Sequence, residues 1–201
     1  EVCTSPKNVQ MLFWDLETKQ LIQDVRGISR VEKIANLEIS CVSYLTLTSL
    51  SEIETAEVTT LWFDAETGFA PLLDAFDKAT KIVSYNGICF DHLVLKKHYE
   101  DVNRHRRHEE KVHDVFDRLR EATGTWFKLD ALLENNNLAK KEADGIQAVK
   151  WFAEGKRELL QSYCESDVRA LARLTALPEL KLPSVRGSRP GIVKNWVFGV
   201  L

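Results

Sequence analysis

The chain has 201 residues, 44% hydrophobic and 28% charged, which suits one compact domain with a sizeable core. Its cysteines (Cys3, Cys41, Cys89 and Cys164) stand far apart with no C-x-x-C pair; this argues against a zinc knuckle or disulfide framework and favours a reducing, intracellular setting, cytoplasm or nucleus/nucleoid. The formal net charge of -3 speaks against a nucleic-acid binder, unless bound divalent cations reverse the local balance.

No apolar run reaches the length of a membrane span, and no signal peptide is expected at the start. The first residue, Glu1 rather than Met, suits a piece excised from a longer polypeptide. Residues 11–14 are apolar and aromatic and read as a buried strand running into Asp15-Leu16-Glu17. A polar segment with Gly27 follows, then strands over 39–45 and 59–63. Phe69, Leu72, Leu73 and Phe76 recur at helical spacing, so a helix is predicted to end near Ala79. Residues 81–85 form a short fourth strand.

Beyond it the pattern is mostly helical. Asp91 opens one helix, residues 112–119 read as a short strand running into another, and two more surround Leu129–133 and Ile146–Trp151. The last long helix is predicted over 156–174. Pro178, Pro183 and Pro190 punctuate a tail whose apolar close, residues 196–201, is expected to add an edge strand or to contact another domain. Three antiparallel-capable strands, a crossover helix, another strand and then helices indicate a mixed α/β sheet with helices on its faces.

Three acidic clusters stand out in that frame. On a strand, residues two apart share a side, so Asp15 and Glu17 project together and suit a hard cation such as Mg²⁺ or Mn²⁺. The tetrapeptide Asp64-Ala65-Glu66-Thr67 repeats the pattern of Asp15-Leu16-Glu17-Thr18. Choosing Asp64 and Glu66 as the pair would leave the upstream strands unused, so they are read as a polar helix start. Asp91 lies just past the fourth strand, where ligands of open α/β sheets collect; an Asp there is also an ordinary helix cap, and Asn86-Gly87 is turn chemistry. Tyr163 and Asp167, four apart on a helix, share a face, although a tyrosine in an apolar pattern is more often plain core.

Together these residues resemble the DEDD superfamily of 3′→5′ exonucleases, in the branch with the pattern D-x-E, N-x-x-x-[FY]-D and Y-x-x-x-D. Asp15 and Glu17, then Asn86, Phe90 and Asp91, then Tyr163 and Asp167 meet it in order. More narrowly, residues 13–20, 143–149 and 160–167 are similar to RNase H-like exonuclease domains that occur alone or beside helicase modules in bacteria and large DNA genomes. The resemblance covers about residues 10–174. It implies a single RNase H-like domain over residues 1–201, built on a mixed five-stranded sheet flanked by helices, with 175–201 as a C-terminal extension.

It also implies two-metal hydrolysis, with two Mg²⁺ or Mn²⁺ ions about 3.5–4 Å apart clamping the attacking water and the leaving 3′ oxygen. Asp15 would bridge both ions, Glu17 and Asp167 would complete one site, and Asp91 would serve the other. Tyr163 would orient the water, while Thr18, Asn86 and Phe90 would contact the terminal nucleotide and Leu21 would wedge between the last two bases. The implied substrate is a single-stranded or frayed DNA or RNA 3′ end, with a helicase or polymerase as partner or fused domain and no membrane. A silent module that holds nucleic-acid ends and an endonuclease of the same fold are the alternatives.

Other signals are weaker. Lys96, Lys97, Arg104, Arg106 and Arg107 bunch together, and charge patterning leaves a solvated face and a binding face equally open. His105, His108 and His113 sit among charged residues without a Cys or well-placed acid and are read as surface rather than zinc ligands. No P-loop is present, and no basic or aromatic groove for a long strand is visible in the linear sequence.

Overall fold

A computed structural model of the chain describes residues 9–63, 68–139, 143–184 and 191–194, the last three residues by backbone only. Five strands form one sheet: β1 (Met11–Thr18), β2 (Ile39–Leu47), β3 (Val58–Trp62), β4 (Lys81–Ser84) and β5 (Val112–Asp114), in the order β3-β2-β1-β4-β5. β1 pairs antiparallel with β2, and β2 with β3; β4 is parallel to both β1 and β5. This is the mixed sheet expected from the sequence. β1 sits at its centre, and seven of its eight residues are buried.

Alternation along β1 divides the molecule. Met11 and Phe13 join Leu45, Val83, Val168 and Leu171 in a core on one face, beneath α5 (Val115–Thr123), α6 (Leu129–Asn135) and α8 (Arg157–Thr175). Leu12, Trp14 and Leu16 join Ile34, Leu72, Phe76 and Val94 on the other, beneath α1 (Arg30–Ala35), α2 (Ala70–Lys78) and α3 (Asp91–Lys96). Asp15 and Glu17 continue the first series, so the chain's own pleat turns them toward α8. A third, smaller cluster of Cys41, Ala148, Leu160, Tyr163 and Cys164 joins α7 (Gly145–Ala153) and α8 to the β1–β2 end of the sheet.

Two helices were not evident from the sequence. α1 has one buried residue, Ile34, and is fixed by a cap in which the Ser29 hydroxyl accepts the Glu32 N–H. α4 (Val102–Glu109) carries the histidines expected at the surface, but His105 and His108 are buried. The correction has a physical cause: the two imidazoles form the inner face of α4 and find partners there. The Tyr99 hydroxyl lies 2.8 Å from His108 Nδ1, Asp77 lies 2.7 Å from Nε2, and Arg104 bridges Asp74 and Asp77 at 2.6 and 2.7 Å. The basic stretch is accordingly mixed, with Arg104 in ion pairs and Arg106 and Arg107 exposed.

In the tail, β6 (Glu179–Lys181) and β7 (Ile192–Lys194) form a separate two-stranded antiparallel pair. Residues 64–67, expected as a helix start, and residues 196–201, expected as an edge strand, lie outside the described residues. No helix among the described residues is long and apolar enough to cross a membrane.

Candidate active site

Asp15 and Glu17 leave the central strand on its α8 face, at the end where β4 and β5 also terminate. Glu17 is buried, Asp15 half-buried, and a bulge after Glu17 closes the regular β1–β2 ladder. α8 crosses this end. Because Tyr163 and Asp167 are one helical turn apart, both point inward and both are buried. The Tyr163 hydroxyl donates to the Asp167 carboxylate. Burial first, then the Asp167, Glu17 and Asp15 carboxylates, push the phenol far above its ordinary range, so it is a neutral O–H.

Asp91 arrives from the other face as the first residue of α3, and it too is buried. Its carboxylate accepts the Leu16 N–H. Burial, with the Asp15 and Asp114 carboxylates behind it, raises the Asp91 carboxyl well above the usual range. Burial also pushes the neighbouring His92 imidazole down to about 3, so no imidazolium offsets these acids. Asp15, Glu17, Asp91, Tyr163 and Asp167 therefore form one electrostatic cluster around the end of β1.

The turn before Asp91 is held by a buried aspartate of β5. Asp114, buried at the end of β5, accepts the N–H groups of Asn86 at 2.8 Å and Ile88 at 2.9 Å, and caps α5 by accepting the Phe116 N–H at 3.0 Å. Asn86 takes a positive φ of 60° within that turn. A Cβ on Gly87 would meet Ser84 Oγ at 2.4 Å, so the turn closes this tightly only with glycine. Asp at the C-terminal end of a parallel strand, immediately before a helical pattern, was the available signal.

The remaining expected residues have plain local settings. Phe90 is half-buried at the start of α3 and packs against the core beneath Trp14. The buried Thr18 donates its hydroxyl to the Gln20 carbonyl at 2.9 Å. Leu21 is half-buried just before a 3₁₀ turn, Ile22–Asp24.

The donor set suits a hard divalent cation. One oxygen each from Asp15 and Glu17 and the sulfur of Cys164 lie within 4.8 Å of one another. Cys164 Sγ lies 3.6 Å from the Asp15 carbonyl, to which the thiol donates, and burial holds the thiol well above its ordinary range. A neutral buried thiol is a poor ligand, which leaves carboxylate oxygens as the donors. The Asp91 carboxyl, raised by burial and then by the neighbouring Asp15 and Asp114 carboxylates, is also a group whose charge a divalent ion would stabilise.

An aromatic wall borders this cluster, and sequence reasoning missed it. Cross-strand register places Glu17 beside Cys41 and Cys41 beside Trp62. The Trp151 ring meets the Tyr163 ring edge-on, with centroids 6.0 Å apart. Lys19 Nζ lies 5.7 Å from the Phe152 ring, and the Arg157 guanidinium lies 5.2 Å from the Trp62 ring.

Residues 12–177 match the RNase_H_2 family of the RNase_H superfamily. No curated protein sequence matches the chain. Among solved structures, the family B DNA polymerase of the hyperthermophilic archaeon Pyrobaculum calidifontis superposes with a TM-score of 0.58 at 14% identity, over 87% of this chain and 25% of that one. E. coli exonuclease I, in complex with a 5cy-dT13 oligonucleotide, superposes with a TM-score of 0.53 at 15% identity, over 85% of this chain and 40% of that one. The chain thus spans less than half the length of either protein, and at these identities the likeness is one of fold. With most of its length inside the family match and this sheet order, the chain belongs to the RNase H superfamily and has an RNase H-like fold.

Proposed function

We propose that the protein is a Mg²⁺- or Mn²⁺-dependent 3′–5′ exonuclease that hydrolyses phosphodiester bonds at single-stranded or frayed nucleic-acid 3′ ends and releases nucleoside monophosphates. The observation that carries this reading is the meeting of Asp15, Glu17, Asp91, Tyr163 and Asp167, from three distant parts of the chain, in one buried acidic cluster. The acting unit is the single domain with its core over residues 10–174. A helicase or polymerase, separate or fused, is the fitting partner class.

Asp15, Glu17, Asp91 and Asp167 would hold two divalent ions, which supply Lewis-acid polarisation of the phosphodiester and a more acidic bound water. The residues do the rest. Tyr163, neutral and donating its O–H to Asp167, keeps its oxygen lone pairs to accept a hydrogen bond from the attacking water and so aim it. The Leu16 N–H and the Asp114-braced turn fix the Asp91 carboxylate before substrate arrives, which lowers the reorganisation needed during reaction. Asn86 and Phe90, on that same turn, would contact the terminal nucleotide.

A 5′-labelled oligonucleotide tests the reading. Stepwise shortening that stops with chelator is expected, with activity at background in Asp15→Ala and Asp167→Ala. Tyr163→Phe should retain activity reduced about 10- to 100-fold, as for residues that orient rather than hold the reacting group. Unchanged turnover by Asp15→Ala would overturn the proposal, and internal fragments in place of a ladder would reassign the chain as an endonuclease.

A further inference from the structure

Four carboxylates gathered at one end of the sheet repel an incoming phosphodiester strand, and the chain as a whole carries net charge -3. A strand-binding surface near them needs cations and flat apolar faces of its own. The described residues bring both together beside Tyr163. Lys19 lies just past the bulge after Glu17, against Phe152 at the end of α7; Arg157 opens α8 and lies against Trp62 at the end of β3. Trp151, next to Phe152 in α7, is in edge contact with Tyr163. Trp62, Trp151 and Phe152 all pack on the small core that contains Tyr163, and each keeps part of its surface in solvent.

The register gives the wall its direction. Glu17, Cys41 and Trp62 form one row across three strands, so Trp62 stands two strand spacings, about 10 Å, from Glu17 on the same face of the sheet. Lys19 has a competing partner in Glu38, at 3.5 Å. Glu38 is 59% exposed, and an ion pair so open to solvent holds weakly, so a phosphate can displace it.

We infer that Lys19–Phe152 and Arg157–Trp62 form a substrate-strand subsite leading away from the acidic cluster: the cations pair with consecutive backbone phosphates while the rings accept bases or sugars. Such a surface combines backbone charge with sequence-tolerant stacking and fits single-stranded nucleic acid. This inference rests on the nuclease reading and extends it to residues outside the three acidic motifs.

The test is fluorescence anisotropy with a 5′-labelled oligothymidylate carrying hydrolysis-resistant phosphorothioate links, in Mg²⁺, over a salt series. Each phosphate contact to a single strand contributes about 0.7 to the slope of log K against log salt. Lys19→Gln should therefore lower the slope by about 0.7, and the Lys19→Gln/Arg157→Gln pair by about twice that. Lys19→Arg should keep the slope. Lys78→Gln, an exposed change on the opposite face of the sheet, controls for net charge and should leave it unmoved. Phe152→Leu retains apolar bulk but loses the ring, and should weaken binding about tenfold without changing the slope.

If Lys19→Gln shifts the slope no more than Lys78→Gln and Phe152→Leu binds as the wild type does, the subsite is refuted, while trimming of an ordinary oligonucleotide by the wild type keeps the nuclease reading. If the wild type neither binds nor trims, the nuclease reading fails and the subsite with it.

Discussion

At the scale of single residues, Asp114 is the most informative side chain outside the acidic motifs. It never touches the chemistry, yet one buried carboxylate fastens both the turn that carries Asn86 and the first turn of α5. Asp114→Ala removes the acceptor of three backbone N–H groups; with the lost cap this should cost about 2–4 kcal/mol. Asp114→Asn, keeping one acceptor oxygen, should lose roughly half as much. Urea unfolding with a lowered midpoint and unchanged slope is the expected record. Hydrolysis should fall in parallel because Asp91 closes the same turn, and full stability in Asp114→Ala would remove this account of the loop. The acids were legible in the sequence because a two-residue strand spacing and a four-residue helix spacing each declare which side chains share a face. Asp114 was not, since a capping aspartate and a turn-bracing one look alike until β5 is placed beside β4.

At the scale of elements, helices with apolar stripes were readable and those without were not. α2 and α8 show hydrophobic spacing and appear close to where the sequence placed them. α4 hides because its inner face is His105 and His108, which a hydropathy pattern scores as polar. The connection between β2 and β3 was also illegible, because it is fastened from far away by α8. Arg169 donates to the Ile53 and Ala56 carbonyls, the latter at 3.0 Å, while Arg173 forks onto Glu54 at 2.7 and 2.6 Å. The second contact bears full charges at both ends, but Glu54 is 62% exposed. Arg173→Met should therefore cost little, and less than Arg169→Met. Arg169→Met strips a charged donor from two part-buried carbonyls and should cost about 1.5–3 kcal/mol. Denaturant midpoints of the two variants decide it, and a larger loss in Arg173→Met would reverse the ranking argued here.

At the scale of the whole molecule, the mixed sheet followed from the succession of strands, crossover helix and further strand along the chain. The aromatic wall did not follow, because Trp62, Trp151, Phe152 and Arg157 come from β3, α7 and α8 and acquire a common face only through the register of the sheet. Histidine burial is another property of the assembled fold, and it sets a pH dependence. His98, His108 and His113 are all held below the ordinary imidazole value, in each case mainly by burial. The unfolded chain then binds more protons than the folded one below about pH 6.5, so the stability these residues allow is complete above that pH and is lost as pH falls through it. Asp91 and Asp114 act with the opposite sign: their raised carboxyls add stability below about pH 4 that is lost as pH rises through the folded values. A single-site comparison separates the two trends. The His98 ring stacks on Phe69 with centroids 3.9 Å apart, and Lys97 beside it adds to the effect of burial. His98→Phe keeps a stacked ring and removes the titration. Its thermal midpoint should match or slightly exceed the wild type at pH 7.5, and the gap should widen as pH falls to 5. The widening is bounded by about 1.4 kcal/mol per pH unit and is less for a half-exposed ring. A gap that stays constant across that range would mean that His98 titrates alike in the folded and unfolded chains, and that its burial beside Phe69 carries no proton-linked cost.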